Sequence, residues 1–284
     1  VFTLLLPLRP VAQASAVKWP RKPPNQLLKE ISTDPNSPTI LIIEDDDDMR
    51  LLLQKELGED YSLLSAADGV SGLQAVFKYL PDLIICDIML PTVGGFEICR
   101  AAKNDRRTSH IPIILLTARA DESAKLEGYA QGADDYVTKP FELSLLRARI
   151  VNLLENRKRL QEQYSRQIFL GPSQLPLSTP EAEFIQKMAA VIEERMEDEQ
   201  FSVDELAQRM GFSRAHFYRK VAALVGQSPQ QIIMEMRLQR GLRLLQSRQL
   251  TIAEIAYRIG FHDPAHFSKA FKKRFGCPPS RFNA

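Results

Sequence analysis

The sequence contains few cysteines and no long uninterrupted hydrophobic segment. Its three cysteines, Cys86, Cys99 and Cys277, have neither the spacing of metal ligands nor the even number that a disulfide framework needs. We therefore expect buried, unreactive thiols in a protein of the reducing cytoplasm. The apolar segment at residues 1–8 is too short to cross a bilayer, and it lacks the basic region of a signal peptide.

The sequence also has little net charge, but the value of +2 conceals two regions of opposite sign. Residues 38–150 contain 19 acidic and 12 basic residues, whereas residues 205–284 contain 14 basic and 4 acidic residues. A length of 284 residues predicts two domains, and the 44% hydrophobic content is ordinary for a globular protein. The acidic region suits a metal ion, and the basic region suits a polyanion such as nucleic acid.

Polar residues follow four apolar segments in the acidic region. They are Glu44 with Asp45, Asp87, Thr117, and Lys139. Continuous apolar segments are typical of buried parallel strands, and the carboxyl ends of such strands meet at the edge where open α/β sheets bind ligands. Strand and helix patterns alternate over residues 39–150, which predicts a doubly wound parallel α/β sheet with a polar site at one edge.

This order of residues resembles the receiver domain of two-component response regulators. The family has an acidic pair after the first strand, an acceptor Asp after the third, Thr-Ala after the fourth and Lys-Pro after the fifth. The sequence supplies Glu44-Asp45, Asp87, Thr117-Ala118 and Lys139-Pro140 in that order. Several ordered matches are far more specific than one short motif. The resemblance covers residues 38–158 and implies a flavodoxin-like, five-stranded parallel sheet.

The receiver resemblance also implies a phosphoryl acceptor and a metal site. Asp87 would accept the phosphoryl group, Lys139 would pair with one of its oxygens, and Thr117 would donate its hydroxyl to another. Clustered carboxylates need a cation to stay ionised together, and Mg²⁺ suits a site with few carboxylates. The resemblance places the metal on Asp45, Asp87 and the backbone carbonyl of Met89, with Glu44 acting largely through water.

Two receiver residues have alternative interpretations. Thr117 and Tyr136 match the family's switch positions, at which the hydroxyl moves toward the phosphoryl group and the aromatic ring rotates inward. Tyr136 is alternatively a half-buried aromatic residue of a strand. Lys139 is alternatively a partner of Asp87 in a salt bridge with no chemistry. The acidic residues 46–48 are expected to lie at a helix start, where the helix dipole favours them.

The basic region contains an internal repeat. The segment at residues 205–212, Glu-Leu-Ala-Gln-Arg-Met-Gly-Phe, recurs at residues 254–261 as Glu-Ile-Ala-Tyr-Arg-Ile-Gly-Phe, and Ala-His-Phe follows both. Each unit predicts a short helix, a turn at Gly and a second helix, which is the helix-turn-helix arrangement. Residues 181–284 resemble the AraC-type DNA-binding domain, in which a long helix, here from Pro229 to Gln246, joins two such units.

The second helix of each unit is expected to enter the major groove of DNA. In the first unit the predicted contacts are Arg214, Ala215, Tyr218, Arg219 and Lys220. In the second unit they are Ala265, His266, Ser268, Lys269 and Lys272. Arg219 and Lys269 are the preferred readers of bases or phosphates, and Arg is favoured for guanine because its fork matches two acceptors. His266 is left open between a packing role and a DNA contact.

The remaining segments are expected to be tails and linkers. Residues 1–37 form a tail or linker whose start resembles the closing strand of a histidine-kinase ATP-binding domain; an expression tail is the alternative. Residues 38–158 form the receiver, residues 159–180 a second linker, and residues 181–284 the all-α DNA-binding domain. If residues 1–37 begin with the end of a kinase domain, the chain is expected to be the C-terminal part of a hybrid sensor protein. The full-length protein would then be anchored in the inner membrane.

Together these features predict a phosphorylation-controlled transcription regulator rather than an enzyme. Its expected partners are double-stranded DNA, a histidine kinase that is separate or fused upstream, RNA polymerase, and a second copy of the chain after phosphorylation. One alternative is a constitutive DNA-binding protein whose receiver is only a dimerisation scaffold. Another is an aspartate-nucleophile phosphohydrolase, although Met89 occupies the place of that class's second acid.

Overall fold

The computed structural model describes residues 37–118, 132–170 and 179–282. These residues form an α/β region followed by an all-α region. Residues 1–36, which make up all but the last residue of the predicted tail, lie outside the described residues. Within the described ranges, no helix is both long enough and apolar enough to cross a membrane.

The α/β region is built on a parallel sheet of five strands in the order β2-β1-β3-β4-β5. The strands are β1 (Thr39–Ile43), β2 (Ser62–Ala66), β3 (Leu83–Asp87), β4 (Ile113–Thr117) and β5 (Asp135–Thr138). Every residue of β3 and β4 is buried, which explains their continuous apolar sequences. The doubly wound parallel sheet predicted from the sequence is confirmed.

Helices cover both faces of the sheet. They are α1 (Asp47–Leu57), α2 (Gly69–Tyr79), α3 (Gly95–Asn104) and α4 (Leu143–Leu170). Leu73, Val76 and Ile98 of α2 and α3 belong to one apolar layer. Leu53 and Leu57 of α1 belong to the other layer, together with residues from the start of α4. The sheet is therefore held between two separate cores, as burial on both faces requires.

Helix α1 begins in the acidic segment after β1. Asp46 is the N-cap, and its carboxylate accepts a hydrogen bond from the Met49 amide at 2.8 Å. Asp47 and Asp48 lie in the first turn, where the positive end of the helix dipole favours negative charge. The interpretation of residues 46–48 as helix-start charges is confirmed.

Helix α4 connects the two regions. It contains 28 residues and is about 42 Å long at 1.5 Å per residue. Leu146 and Ile150 pack on the sheet, whereas Tyr164 and Ile168 pack into the core of the all-α region. The boundary expected after residue 158 therefore falls inside a continuous helix.

The all-α region contains two helix-turn-helix units. After α5 (Pro180–Arg195) come α6 (Val203–Met210) and α7 (Arg214–Val225), then the long α8 (Pro229–Ser247), then α9 (Ile252–Arg258) and α10 (Pro264–Phe275). A 3₁₀ turn follows at Pro279–Arg281. Gly211 and Gly260 adopt φ values of +78° and +75° in the equivalent turns, a conformation that favours glycine. The double helix-turn-helix arrangement predicted from the repeat is confirmed.

Candidate functional site

Three carboxylates lie together at the carboxyl edge of the sheet. Glu44 and Asp45 follow β1, and Asp87 ends the neighbouring strand β3. One oxygen from each of them lies within 4.8 Å of the others. Glu44 is 0% exposed and Asp87 is 7% exposed, whereas Asp45 faces solvent. The sequence prediction that strand order would bring these acids together is realised in this geometry.

Lys139 places an ammonium group among the carboxylates. It follows β5, and its main-chain amide donates to the carbonyl of Thr117 at 2.7 Å. Its Nζ donates to Asp87 Oδ2 at 2.6 Å and to the two oxygens of Glu44 at 2.9 and 2.8 Å. Two of the three clustered carboxylates thus share this one cation, which leaves a surplus of negative charge at the site.

The burial of the site changes the acidity of its groups. Burial raises the pKa of Glu44; the hydrogen bond from Lys139 opposes this, and the charge of Asp87 reinforces it. Burial favours the neutral amine of Lys139, but hydrogen bonds to Asp87 and Glu44 raise the pKa of Lys139 above its usual value. A second cation with oxygen ligands would relieve the repulsion that remains. The donor set, with carboxylates predominating, fits a hard dication such as Mg²⁺.

Main-chain groups complete the surroundings of Asp87. The Met89 amide donates to Asp87 Oδ1 at 3.0 Å, so the turn after β3 orients the carboxylate. Gly95 approaches so closely that a Cβ on it would lie 2.3 Å from the Asp87 carbonyl oxygen. The first residue of α3 therefore has to be glycine for the helix to begin at this place.

Arg50 is a site residue that the sequence analysis missed. Its Nη1 donates to the carbonyl of Glu44 at 2.8 Å and, more weakly, to that of Asp45 at 3.4 Å. The guanidinium therefore holds the main chain that carries both acids. The sequence offered one signal for this role, namely a basic residue in the first turns of the helix after the acidic pair. Its binding partners could not be predicted, because main-chain carbonyls leave no pattern in the sequence.

The two predicted switch residues lie beside the acidic site. Thr117 ends β4 and Tyr136 lies in β5, and each side chain is 4% exposed. Tyr136 packs into the apolar layer that contains α2 and α3. Tyr136 is thus an aromatic residue of a strand, as the alternative interpretation had it, but it is buried rather than half-buried. The structure therefore shows the ring in the inward position. The outward position, from which the predicted rotation would start, is not seen.

The second unit presents its predicted DNA contacts to solvent. Asp263 caps α10 by accepting a hydrogen bond from the Ala265 amide at 2.9 Å, and Pro264 is its first residue. Ala265, His266, Lys269 and Lys272 are exposed and Ser268 is partly exposed. The ring of His266 also lies 5.4 Å from that of Phe261 in a tilted arrangement. His266 thus has both an exposed edge and a packing contact.

The first unit presents fewer of its predicted contacts. Arg214 and Ala215 are exposed, and Arg214 forms an ion pair with Asp204 at 2.7 Å. Tyr218 is partly buried against the core of the all-α region. Arg219 is exposed, but its Nη1 donates to the carbonyl of Lys78 in the α/β region at 2.8 Å.

Lys220 is the clear departure from the expected DNA surface. It was predicted to be an exposed contact, but its side chain is only 3% exposed. Its Nζ donates to the Arg106 carbonyl and lies 5.1 Å from the centre of the Phe184 ring. Burial lowers the pKa of Lys220 to about 8. In this arrangement Lys220 joins the two regions and is too buried to reach DNA.

Comparisons with known proteins identify both regions. A model described as the response regulator receiver domain matches residues 40–151, and one described as a helix-turn-helix domain matches residues 206–284. The chain is 37% identical over 255 residues to Histidine kinase P4 of Formosa agariphila, covering 90% of this chain and 19% of that protein.

Two further relatives match the receiver region. Transcriptional regulatory protein AfsQ1 of Streptomyces coelicolor is 45% identical over 123 residues, covering 43% of this chain and 53% of that protein. Hybrid signal transduction histidine kinase D of Dictyostelium discoideum is 38% identical over 133 residues, covering 46% and 9%. The chain spans about half or less of the length of these relatives. The matches confirm both resemblances drawn from the sequence: the chain contains a response-regulator receiver domain at residues 40–151 and an AraC-type helix-turn-helix domain at residues 206–284.

Proposed function

We propose that this protein is a DNA-binding transcription regulator of a two-component phosphorelay, controlled by phosphorylation of Asp87. The observation that carries the proposal is the geometry of Asp87. Its carboxylate lies at the carboxyl edge of the sheet, 2.6 Å from Lys139 and beside Glu44 and Asp45. A carboxylate held next to an ammonium group suits phosphoryl transfer, where catalysis depends on positioning and on neutralising charge.

The proposed chemistry is a single transfer to Asp87. One carboxylate oxygen attacks the phosphorus of a phosphohistidine, the P–N bond breaks, and the imidazole leaves with the electron pair and takes up a proton. Lys139 then exchanges a carboxylate contact for a phosphoryl oxygen. The Thr117 hydroxyl donates to another phosphoryl oxygen, and its movement alters the surface formed by β4 and β5. The protein acts as a regulator that undergoes one slow cycle of its own modification, rather than as an enzyme.

Mg²⁺ is the proposed cofactor. Asp45, Asp87 and the backbone carbonyl of Met89 would hold it, with Glu44 bound largely through water. When bound, it neutralises charge on the incoming phosphoryl oxygens. The surplus of carboxylates over the ammonium group of Lys139 supports this assignment.

The proposed partners follow from the two domains. Helices α7 and α10 would enter adjacent major grooves of double-stranded DNA, with phosphorylated receivers pairing two copies of the chain. A histidine kinase would supply the phosphoryl group. The alignment of 90% of this chain with a relative named histidine kinase P4 supports a kinase in the same polypeptide. The DNA-binding domain would then act in the cytoplasm and contact RNA polymerase there.

DNA binding at fixed salt tests this function. Wild type and Asp87→Asn are each measured with and without beryllofluoride plus Mg²⁺, a mimic of the acyl phosphate. We expect tighter binding only for wild type with the mimic, because the amide in the variant offers no carboxylate to it. Equal binding in all four conditions would refute phosphorylation control and leave the receiver as a scaffold. Repeated turnover of a small phosphodonor would instead indicate a phosphohydrolase.

A further inference from the structure

The DNA-reading helix of the first unit, α7, packs against the receiver domain. Arg219 Nη1 donates to the carbonyl of Lys78 at the end of α2, at 2.8 Å. Lys220 Nζ donates to the carbonyl of Arg106, between α3 and β4. The Arg106 guanidinium in turn lies 5.6 Å from the ring centre of Phe212, in the turn before α7. Two of the five predicted DNA contacts of this helix are therefore occupied by receiver groups.

The occupied side chains lie along one side of α7. Residues three or four apart share a helix face, and His216, Arg219 or Lys220, and Ala223 follow this spacing. His216 and Arg219 line an open cleft together with Lys78 and Arg107 of the receiver. The Ala223 carbonyl accepts a hydrogen bond from Gln161 Nε2 of α4 at 2.6 Å. Receiver groups thus contact this side of α7 from His216 to Lys220, and α4 contacts it at Ala223.

A contact outside α7 also joins the receiver to the DNA-binding domain. Ser109 Oγ of the receiver donates to Glu181 Oε1 at the start of α5, at 3.0 Å. The interface therefore rests on contacts from separate segments of both domains. Most of them are polar hydrogen bonds, a composition that permits separation of the domains.

The second unit differs from the first in this respect. Lys269, which is equivalent in role to Arg219, is exposed on α10, as are His266 and Lys272. The ion pair of Arg274 on this helix is made to Glu235 of α8, within the same domain. The receiver thus contacts one reading helix along one side, while the other reading helix faces solvent.

We propose that the receiver covers α7 and leaves α10 free, so that the unmodified protein binds DNA through its second unit and activation adds the first. This inference rests on the proposed function and names the step that phosphorylation controls. A helix must lie inside the major groove, about 12 Å wide, to reach base edges. With α2 and the segment before β4 against the same side of α7, the groove cannot admit the helix. Release of the receiver is therefore required before Arg219 contacts DNA.

The test compares Arg219→Ala with Lys269→Ala in both states of the receiver. The probe is a duplex selected from random-sequence DNA by the beryllofluoride-loaded full chain. Without the mimic, we expect Lys269→Ala to weaken binding roughly tenfold, the effect of losing one base contact, and Arg219→Ala to leave it unchanged. With the mimic, each substitution should weaken binding by a similar factor. The proposal would be overturned if Arg219→Ala weakened DNA binding by the same factor with and without the mimic.

A variant designed to separate the two domains, here called the opening variant, tests without any mimic whether the receiver covers α7. Ser109→Glu places a second carboxylate against Glu181 and should separate the domains by repulsion. In that background, Arg219→Ala should weaken DNA binding even without beryllofluoride. Ser144→Glu is the matched control, because it adds the same charge to the receiver at a serine whose hydrogen bond is to Glu142. The proposal is refuted if Arg219→Ala leaves DNA binding unchanged in the Ser109→Glu background. It is also refuted if Arg219→Ala weakens DNA binding as much in the Ser144→Glu background.

These outcomes separate the inference from the function on which it rests. If the mimic leaves wild-type binding unchanged, phosphorylation control is wrong, and the opening variant still reports on the covering. If the mimic strengthens binding while Arg219→Ala weakens both states equally, phosphorylation control stands and the covering of α7 is wrong.

Discussion

The charge balance of the acidic site depends on one lysine. Lys139 neutralises Glu44 and Asp87, which are both buried, through hydrogen bonds between 2.6 and 2.9 Å. Removing one partner of a buried ion pair leaves an uncompensated charge and typically costs about 3 kcal/mol or more. The same lysine is thus needed for the stability of the resting receiver and, in the proposed function, for its chemistry.

We therefore predict that Lys139→Met lowers the free energy of unfolding by about 3 kcal/mol in Mg²⁺-free buffer. Urea denaturation of the full chain provides the measurement. Millimolar Mg²⁺ should restore part of the loss, since a dication supplies the charge that the variant lacks. Lys55→Met, at an exposed position of α1, is the control and should change stability by less than about 0.5 kcal/mol. Equal stability of the two variants would contradict this account of the site.

The acidic site was predictable because each of its side chains follows an apolar strand. The carboxyl ends of parallel strands meet at one edge of the sheet. The adjacency of Glu44, Asp87 and Lys139 can therefore be predicted without any knowledge of tertiary contacts. Arg50 was not predictable, because it binds main-chain carbonyls, which every residue possesses. Gln54 was also missed: it is buried in α1 and donates to Ser65 Oγ at 2.7 Å, whereas the apolar Leu52 of the same helix is 41% exposed.

At the scale of the helices, α8 positions the second DNA-reading unit by close packing. Gly241 lies in the middle of this helix, although glycine there is less favourable than alanine by about 1 kcal/mol. A Cβ at Gly241 would lie 3.0 Å from Ile259 Cδ1 and 3.1 Å from Phe267 Cε2. The absence of a side chain therefore lets α9 and α10 approach α8. The long helix was predictable from its sequence pattern, but this approach was not, because it depends on a tertiary neighbour.

We predict that Gly241→Leu destabilises the protein by roughly 1–3 kcal/mol, because the added side chain overpacks the core around Phe267. Urea unfolding measures the stability, and DNA affinity should fall in parallel as α10 loses its position. Arg240→Leu adds a similar apolar group at the preceding, exposed position of the same helix and is the control. A Gly241→Leu protein as stable as this control would show that the core around α10 is loosely packed.

On the scale of the whole molecule, opposite charges lie in separate domains, and the receiver covers part of the basic one. Each phosphate contact contributes close to one unit to the slope of log affinity against log salt concentration. Release of α7 would add the contacts of the first unit to those of the second. The arrangement of the domains was not predictable from the sequence, because Arg219 and Lys220 bind the main-chain carbonyls of Lys78 and Arg106.

We predict that beryllofluoride plus Mg²⁺ steepens this salt dependence by about 1 for each additional DNA phosphate that the protein binds. Titrations of a duplex between 50 and 200 mM KCl, about the range over which such slopes are resolved, give the measurement. The Mg²⁺ concentration is held constant, and Asp87→Asn serves as the control, with an unchanged slope. Tighter binding with the mimic at an unchanged slope would mean that activation brings no further DNA phosphate into contact with the protein.

Lys220 makes the contact between the domains sensitive to pH. Its burial between the Phe184 ring and the receiver lowers the pKa of Lys220 to about 8 from its ordinary value of 10.5. The charged groups facing it are Glu181, Glu183 and Lys187 from α5 and Lys103, Asp105 and Arg106 from the receiver. Since the closed form binds this proton less tightly than the open form, raising the pH favours closure. The effect is confined to the range from about 8 to about 10.5 and is absent below it.

We therefore predict that the ratio of closed to open protein rises by roughly tenfold between pH 8 and pH 9.5. Energy transfer between dyes on Cys277, which is partly exposed, and on Ser144→Cys reports the separation of the domains. Lys220→Met should close the domains at every pH and abolish the dependence, because methionine fills the same space with no charge to desolvate. A pH dependence that persists in Lys220→Met would assign it to another of the facing groups and remove Lys220 from the account of closure.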